Sequence, residues 1–317
     1  MNAPAQSSHL DTPHNLSGLA ALTHLGVIRV VGADAVPFLQ GQLTQDVALM
    51  PHSQARLAGF CNAKGRLQAS FIMLKHGAED VLLICSRDLL PTTLKRLSMF
   101  VLRAKAKLTD VTAEVMLYGA AGAAAEAIAG NTATPWTRAD AGEASVITLP
   151  TAAGVPRALW LAPSGTALPA AVGELGLSAW QWLEVQSGIA MVTQPVFEAF
   201  VPQMLNYESI GGVSFKKGCY PGQEVVARSQ FRGTLKRRAY LVHSTAEPVV
   251  GQEVFHSSDA EQPCGLVASA AAHPSGGFDA MVSMQTSAAT DGSLTLGSAS
   301  GAALTLLPLP YALLEDI

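Results

Sequence analysis

A change in strand spacing near Ala239 constrains the fold of this chain more than any other feature of its sequence. Before that position, short apolar and β-branched runs alternate with segments of helical periodicity. After it, short strand-like segments follow one another closely, with turns such as Val250-Gly251 and residues 275–277 between many of them. The sequence therefore predicts α+β layers followed by a small β-barrel or sandwich, and it argues against a doubly wound parallel sheet.

Local patterns place several elements within the first part of the chain. Residues 56–61 and 67–74 are predicted to pair as strands, because the residues between them have the composition of a hairpin turn. Apolar residues at helical spacing predict helices over residues 89–101 and 179–186, and Gly188 is the expected end of the second helix. Short strands and helices in this order are typical of layered α+β domains.

Length, charge and apolar content limit the class of protein. The 317 residues and the hydrophobic fraction of 49% suit two or three domains with sizeable cores. The formal net charge of −4 argues against a uniformly basic nucleic-acid binder. No tract reaches the ~20 uninterrupted apolar residues that cross a bilayer, and residues 1–15 lack both parts of a secretory signal. We therefore expect a flexible tail over residues 1–15 and no membrane association.

The four cysteines favour a reduced, cytoplasmic protein. They are too sparse for a disulfide framework and lack the close pairs of a zinc site, so no bound metal is predicted. Cys61, Cys85 and Cys264 lie in apolar, strand-like settings and are expected to pack in cores. Cys219 lies instead among lysines and turn-forming residues.

The stretch KKGCYPGQE at residues 216–224 is the most distinctive part of the chain. Its two glycines and its proline predict a tight, exposed loop around Cys219. Positive charge on Lys216 and Lys217 is expected to favour the thiolate, the form that acts as nucleophile and metal ligand. The alternative is a small apolar side chain packed under a turn. Besides Cys219, the candidate residues of this loop are Lys216, Lys217, Gly218, Tyr220, Gly222, Gln223 and Glu224, of which Gln223 and Glu224 are expected to brace the loop backbone by hydrogen bonds.

A basic segment overlaps this loop. Residues 216–238 carry seven of the chain's 20 Lys and Arg residues and a single acidic residue, Glu224. Such a segment can bind a polyanion, either RNA phosphate or the carboxylates of a polyglutamylated cofactor. A solvated basic face is the other interpretation. Beyond the two lysines, the members of this basic patch are Arg228, Arg232, Lys236, Arg237 and Arg238.

Four segments of the chain carry a family resemblance. Residues 200–238, FVPQMLNYESIGGVSFKKGCYPGQEVVARSQFRGTLKRR, resemble the signature of the YgfZ-type folate-binding proteins, relatives of the glycine-cleavage T-protein (aminomethyltransferase). Residues 30–47 (VVGADAVPFLQGQLTQDV), 61–66 (CNAKGR) and 304–313 (LTLLPLPYAL) are similar to three further segments of that family, with Asn62 in place of its usual Asp. KGCYxGQE is the specific motif, and the four segments together span nearly the whole chain.

The resemblance implies an α+β, T-protein-like ring of three domains around a central channel that accepts tetrahydrofolate. Residues 16–234 would form two intertwined α+β subdomains, approximately 16–52 with 145–234, and 53–144. Residues 235–317 would form the C-terminal β-barrel. The resemblance also implies a role in maintaining iron–sulfur enzymes, including enzymes that modify tRNA. Its candidate partners are therefore folate, iron–sulfur enzymes or their assembly proteins, and tRNA.

The family's folate site includes two tryptophans. Trp180 matches the second, in a W-x-x-L-x-V-x-x-G pattern that ends at Gly188, whereas the first falls at Leu25. An aromatic platform suits a flat pterin, because stacking contributes ~0.5–1.5 kcal/mol beyond area burial. Trp180 is therefore the candidate cofactor-binding residue, beside the Leu25 position. Packing of Trp180 in a helix core is the alternative interpretation.

A carboxylate pair of the true aminomethyltransferases is replaced here by Gln68 and Ala69. A general base needs a titratable group within hydrogen-bond reach, so the T-protein reaction is not expected. Three functions remain open. The first is a folate-dependent accessory factor for iron–sulfur proteins that acts through Cys219. The second is an aminomethyltransferase-like one-carbon transferase or demethylase, and the third is an RNA-binding module that uses residues 216–238.

Overall fold

The computed structural model describes residues 16–130, 134–170, 172–231, 235–290 and 292–314. The tail predicted over residues 1–15 lies outside the described residues, as does Arg232 of the basic patch. Every helix in the described ranges is too short or too polar to cross a bilayer.

The described residues form sixteen β-strands and five α-helices. The strands are β1 (Gly18–Ala21), β2 (Leu25–Val31), β3 (Ala55–Cys61), β4 (Leu67–Gly77), β5 (Asp80–Ser86), β6 (Lys107–Asp110), β7 (Val115–Ala121), β8 (Arg138–Ala141), β9 (Ala144–Ala152), β10 (Val155–Pro163), β11 (Arg237–Ser244), β12 (Glu253–His256), β13 (Gly265–Ala272), β14 (Phe278–Gln285), β15 (Leu294–Leu296) and β16 (Ala303–Leu307). The helices are α1 (Ala35–Gln40), α2 (Leu90–Met99), α3 (Ala123–Ala129), α4 (Leu177–Gln186) and α5 (Gln223–Phe231).

The first sheet has the strand order β3-β4-β5-β2-β6 and is antiparallel. It contains the predicted hairpin, since β3 pairs with β4. Successive side chains of a strand point to opposite faces, so Ala69 and Phe71 of β4 pack in one core with α1 and α2. Ile72 lies on the other face and packs toward the second sheet.

The second sheet has the strand order β1-β7-β10-β9-β8. One face packs on the first sheet in a shared core that includes Leu82, Ile84, Ile147 and Leu161, closed by Trp180 of α4. The other face is covered by α3. Helix α4 also packs on β13 and β14, so it lies between the second sheet and the C-terminal domain. Helix α4 therefore contacts both the second sheet and the C-terminal domain.

The C-terminal domain is a closed barrel with the strand order β11-β14-β13-β12-β15-β16. The α+β class and the C-terminal β-barrel predicted from the sequence are confirmed. The sequence predicts five strands after Ala239, over residues 240–243, 253–255, 264–268, 280–284 and 303–306, and each overlaps a strand of the barrel. Strand β15 was not predicted because it is only three residues long. Closure of the barrel leaves no unpaired edge strand.

Two expectations about organisation differ from the structure. Strand pairing groups residues 25–110 in one sheet and residues 18–21 with 115–163 in the other, whereas the expected subdomains joined 16–52 with 145–234. Hydrogen bonding between distant strands decides this grouping, and one sequence does not show it. Gln223 and Glu224, expected to belong to the loop, instead begin helix α5, where Glu224 accepts a hydrogen bond from Arg228.

Candidate functional site

A cavity of about 430 Å³ lies where both sheets, helix α4 and the barrel meet. Its wall includes Leu25 of β2, Leu159 of β10, Trp180 of α4 and Ser269 of β13. The volume falls within the roughly 300–1,000 Å³ typical of small-molecule sites. Both positions singled out from the sequence for cofactor binding, Leu25 and Trp180, therefore line one cavity.

A charged centre lies in the wall of this cavity. Arg157 projects from β10 and is 4% exposed, and its Nε donates to the carbonyl oxygen of Pro150 at 3.1 Å. Glu184, one turn after Trp180 on α4, accepts a 2.9 Å hydrogen bond from the indole Nε1 of Trp180. The Nε2 atom of His24 lies 3.0 Å from the second oxygen of the same carboxylate.

The electrostatics of the centre keep a positive charge beside the cavity. Burial lowers the pKa of the Arg157 guanidinium to about 10, and the negative charge of Glu184 opposes that shift. Arg157 is therefore still protonated at neutral pH. Its guanidinium carbon lies 5.5 Å from the ring centroid of Trp180, a cation–π arrangement. The site thus combines a buried cation, a carboxyl group and aromatic surface in one wall.

Trp180 itself is fully buried, with 0% exposure. A β-carbon on Gly119 of β7 would lie 2.5 Å from three atoms of the indole, so glycine is needed for this helix to approach the sheet. With Gly119 beneath the indole and Arg157 beside it, Trp180 forms the back wall of the cavity. The open stacking platform expected from the sequence is not found at this residue.

Polar groups at the cavity are available to a ligand. The side chains of Arg87 and Asp88 are exposed at its edge. Three buried polar atoms of its lining have no hydrogen-bond partner among the described residues: Nδ1 of His24, Oγ1 of Thr193 and Oγ of Ser269. Each of these three atoms is shielded from the open space of the cavity, so the exposed side chains at its edge are the groups that a ligand can reach.

The KGCYPGQE segment lies at a different place from the cavity lining. Lys217 is 7% exposed, and its ammonium donates to the carbonyl oxygens of Gln40 and Leu43, the latter at 2.6 Å. The same ammonium lies 4.8 Å from the ring centroid of Tyr220. Burial lowers the pKa of Lys217 to about 8. Lys217 thus anchors the loop to the end of α1 as a buried cation.

A contact between glycines joins this loop to the CNAKGR turn. Gly222 has a φ of 80° and packs on the backbone of the turn, where a β-carbon would come within 2.6 Å of the N and Cα of Gly65. Two motifs that lie far apart in the sequence therefore meet directly. Cys219, between the two anchoring residues Lys217 and Gly222, is exposed, whereas Cys61, Cys85 and Cys264 are buried.

The basic patch does not form one surface. Arg238 makes a buried ion pair with Glu208, and the half-buried Arg237 donates to the carbonyl oxygen of Cys264. Lys216, Arg228 and Lys236 are exposed, and Arg228 pairs with Glu224 on α5. Among the described members, half of the charge is thus committed to internal contacts. The described basic side chains of residues 216–238 therefore divide into buried members, which hold the fold together, and exposed members.

The positions of the lost carboxylate pair are both buried. Ala69 packs in the core of the first sheet, and Gln68 donates from Nε2 to the Glu198 carboxylate at 2.6 Å. Hydrogen bonds from Asn62 and Gln68 hold the pKa of Glu198 below its usual range, with burial opposing them. Glu198 is therefore an ionised, hydrogen-bonded group, and neither it nor Gln68 belongs to the cavity lining.

Sequence reasoning missed several residues of the cavity. Arg157 and Glu184 form its charged centre, and His24 and Trp136 also line it. A signal for the first two exists: Arg157 is the one charged residue of an apolar strand, and Glu184 lies one helical turn after Trp180. His24 and Trp136 belong to short connections without a local pattern, so only the tertiary structure reveals them.

Known proteins similar to this chain share both sequence and fold with it. Residues 4–152 match the family model described as GCVT N-terminal domain. A protein of Edwardsiella ictaluri named tRNA-modifying protein YgfZ is 30% identical over 300 residues, which cover 90% of this chain and 89% of that protein. The protein of the same name from Sodalis glossinidius is 30% identical over 98% of this chain and 97% of its own length.

A solved structure has the same fold. The glycine cleavage system aminomethyltransferase T of Bartonella henselae superposes with a TM-score of 0.67, covering 93% of this chain and 86% of that one. The two sequences are 19% identical, so this similarity establishes the fold alone.

Proposed function

Because this chain belongs to the YgfZ family, within the aminomethyltransferase-like superfamily, we propose that it is a folate-binding factor that supports the modification of tRNA. The observation that carries the proposal is the cavity between the two sheets and the barrel, with Arg157 and Glu184 in its wall. A wholly apolar pocket would not suit a cofactor that combines a polar bicyclic ring with a charged tail.

The residues present fit a reduced folate. A pterin is a flat ring system with N–H donors, and the Glu184 side chain keeps 29% exposure, so its carboxylate can accept hydrogen bonds from such donors. Arg87, exposed at the edge of the cavity, is the cation that would meet the glutamate tail. When bound, tetrahydrofolate supplies one-carbon chemistry, and this chain's residues bind and orient it.

Cys219 is the second component of the proposal. It is an exposed thiol on a loop held at both ends, by Lys217 on α1 and by Gly222 on the CNAKGR turn. A thiol presented this way can reach a partner protein, and thiolates are ligands of iron. We propose that Cys219 acts on iron–sulfur enzymes or their assembly proteins, including enzymes that modify tRNA. All four cysteines are free thiols, which supports a cytoplasmic site of action.

Folate binding is tested by calorimetry with tetrahydrofolate under reducing conditions. We expect the wild-type protein to bind and Glu184→Gln to bind about tenfold more weakly, because a hydrogen bond to a charged group is worth roughly 1.5–3 kcal/mol. Glu126→Gln, which changes an exposed carboxylate on α3, is the matched control and should bind as the wild type does. Absence of wild-type binding at millimolar tetrahydrofolate would contradict the cofactor assignment.

The role of Cys219 is tested in a bacterial strain from which the gene for this protein has been deleted. Sulfur-modified nucleosides in tRNA, measured by mass spectrometry, should be restored by the wild-type gene and lost with Cys219→Ser. Cys264→Ala, which removes a buried thiol of the barrel, should restore them. Full restoration by Cys219→Ser would refute the thiol mechanism while leaving folate binding untouched.

A further inference from the structure

A second indole lies in the cavity, at Trp136. Its side chain is half-buried and belongs to the cavity lining. Its backbone has a φ of 69°, in the left-handed region that a bulky residue rarely adopts. Strained residues of this kind cluster at ligand-binding sites, where the surrounding structure holds them in place. The conformation of Trp136 thus calls for an explanation beyond ordinary core packing.

Two hydrogen bonds hold Trp136 in this conformation. Its N–H donates to the carbonyl oxygen of Thr148 in β9 at 2.7 Å, and its own carbonyl oxygen accepts from the N–H of Ala55 in β3 at 2.9 Å. Trp136 is therefore tied to one strand of each sheet, directly beside the space that the sheets enclose. Its indole is positioned by rigid elements on both sides.

The two other candidate positions of the cavity, Trp180 and Leu25, cannot offer an open aromatic face. Trp180 is fully buried, with Gly119 beneath its ring and its Nε1 bonded to Glu184. Leu25 is aliphatic and 5% exposed, in the same apolar cluster on which Trp136 packs. Of the two indoles that line the cavity within the described residues, only that of Trp136 keeps exposed surface.

We propose that Trp136 is the aromatic wall against which the flat ring of the cofactor stacks, in place of an aromatic side chain at Leu25. This inference rests on the proposed binding of a folate in the cavity. Arg157 and Glu184 then lie in the wall beside the stacked ring, and Trp180 is a positioning residue that holds the Glu184 carboxylate. The stacking surface comes from the connection before β8, and the polar groups come from β10 and α4, so the site is complete only in the folded chain.

The test compares Trp136→Leu and Trp136→Phe with the wild type, using calorimetry with tetrahydrofolate. Trp136→Leu should weaken binding about tenfold, because stacking on an aromatic ring is lost. Trp136→Phe keeps a ring and should bind within about threefold of the wild type. Wild-type affinity in Trp136→Leu overturns the inference and leaves the proposed function standing. Failure of the wild type to bind overturns both, and the wild-type titration alone reveals it.

A fluorescence measurement decides the question even where Trp136→Leu does not fold. Tetrahydrofolate should quench the tryptophan emission of the wild-type protein through contact with the indole of Trp136. In Trp136→Phe this quenching should be largely lost although calorimetry still detects binding, whereas Trp160→Phe, which changes an indole outside the cavity lining, should retain it. Equal quenching in Trp136→Phe and in the wild type would place the ring elsewhere and overturn the inference.

Discussion

Replacing Arg238 with methionine is expected to lower the free energy of unfolding by about 3–5 kcal/mol. Arg238 bonds to Glu208 at 2.6 Å and to the carbonyl oxygen of Leu314 at 2.7 Å. The side chain of Glu208 has 0% exposure, so methionine would leave a buried carboxylate without its cation. Urea denaturation followed by circular dichroism measures the change. Adding Glu208→Gln removes the stranded charge and should recover part of the loss.

The matched control is Arg228→Met, in the same basic segment. Arg228 pairs with Glu224 at 2.6 Å, but the two side chains are 66% and 84% exposed. Exposed pairs at this helical spacing contribute about 0.3–0.5 kcal/mol, so the variant should unfold close to the wild type. Equal destabilisation by the two substitutions would contradict the division of this segment into internal and surface cations. The comparison therefore tests which arginines of residues 216–238 stabilise the folded protein and which remain at its surface.

Gly222→Ala is expected to destabilise the protein by about 3 kcal/mol and to displace the Cys219 loop. Gly222 has a φ of 80°, and the added β-carbon would come within 2.6 Å of backbone atoms of Gly65. Backbone atoms cannot rotate away as a flexible side chain can. Urea denaturation measures the stability, and the alkylation rate of Cys219 measures the displacement of the loop.

Gly218→Ala is the control for this effect. It makes the same chemical change four residues earlier in the same motif, where a β-carbon would meet nothing within 4 Å. We expect a stability change within about 0.5 kcal/mol, since Gly→Ala at an unstrained position mainly affects the unfolded chain. A loss in Gly218→Ala as large as that in Gly222→Ala would show that the CNAKGR contact does not fix the loop.

Short-range patterns in the sequence determined a large part of the fold. The hairpin of β3 and β4, the helix around Trp180 and the first strands of the barrel follow from side-chain period and turn composition, which act between neighbouring residues. The loop around Cys219 was predicted for the same reason, and its exposure is found in the structure. The helix that begins at Gln223 was missed, because a glycine-rich stretch directly before it obscured its periodicity.

Only the tertiary structure decided which side chains meet. The cations of residues 216–238 look alike in the sequence, yet Lys217 and Arg238 are buried in internal contacts and Arg228 is exposed. Arg157 of β10 and Trp136, from the connection before β8, line one cavity because strands that are far apart in the chain pair with one another. Sequence alone specifies local conformation, because side-chain periodicity and turn preferences act between residues that are close in the chain. Burial and partner choice depend on long-range packing, so the charged centre and the second indole emerge only when the sheets and the barrel close around them.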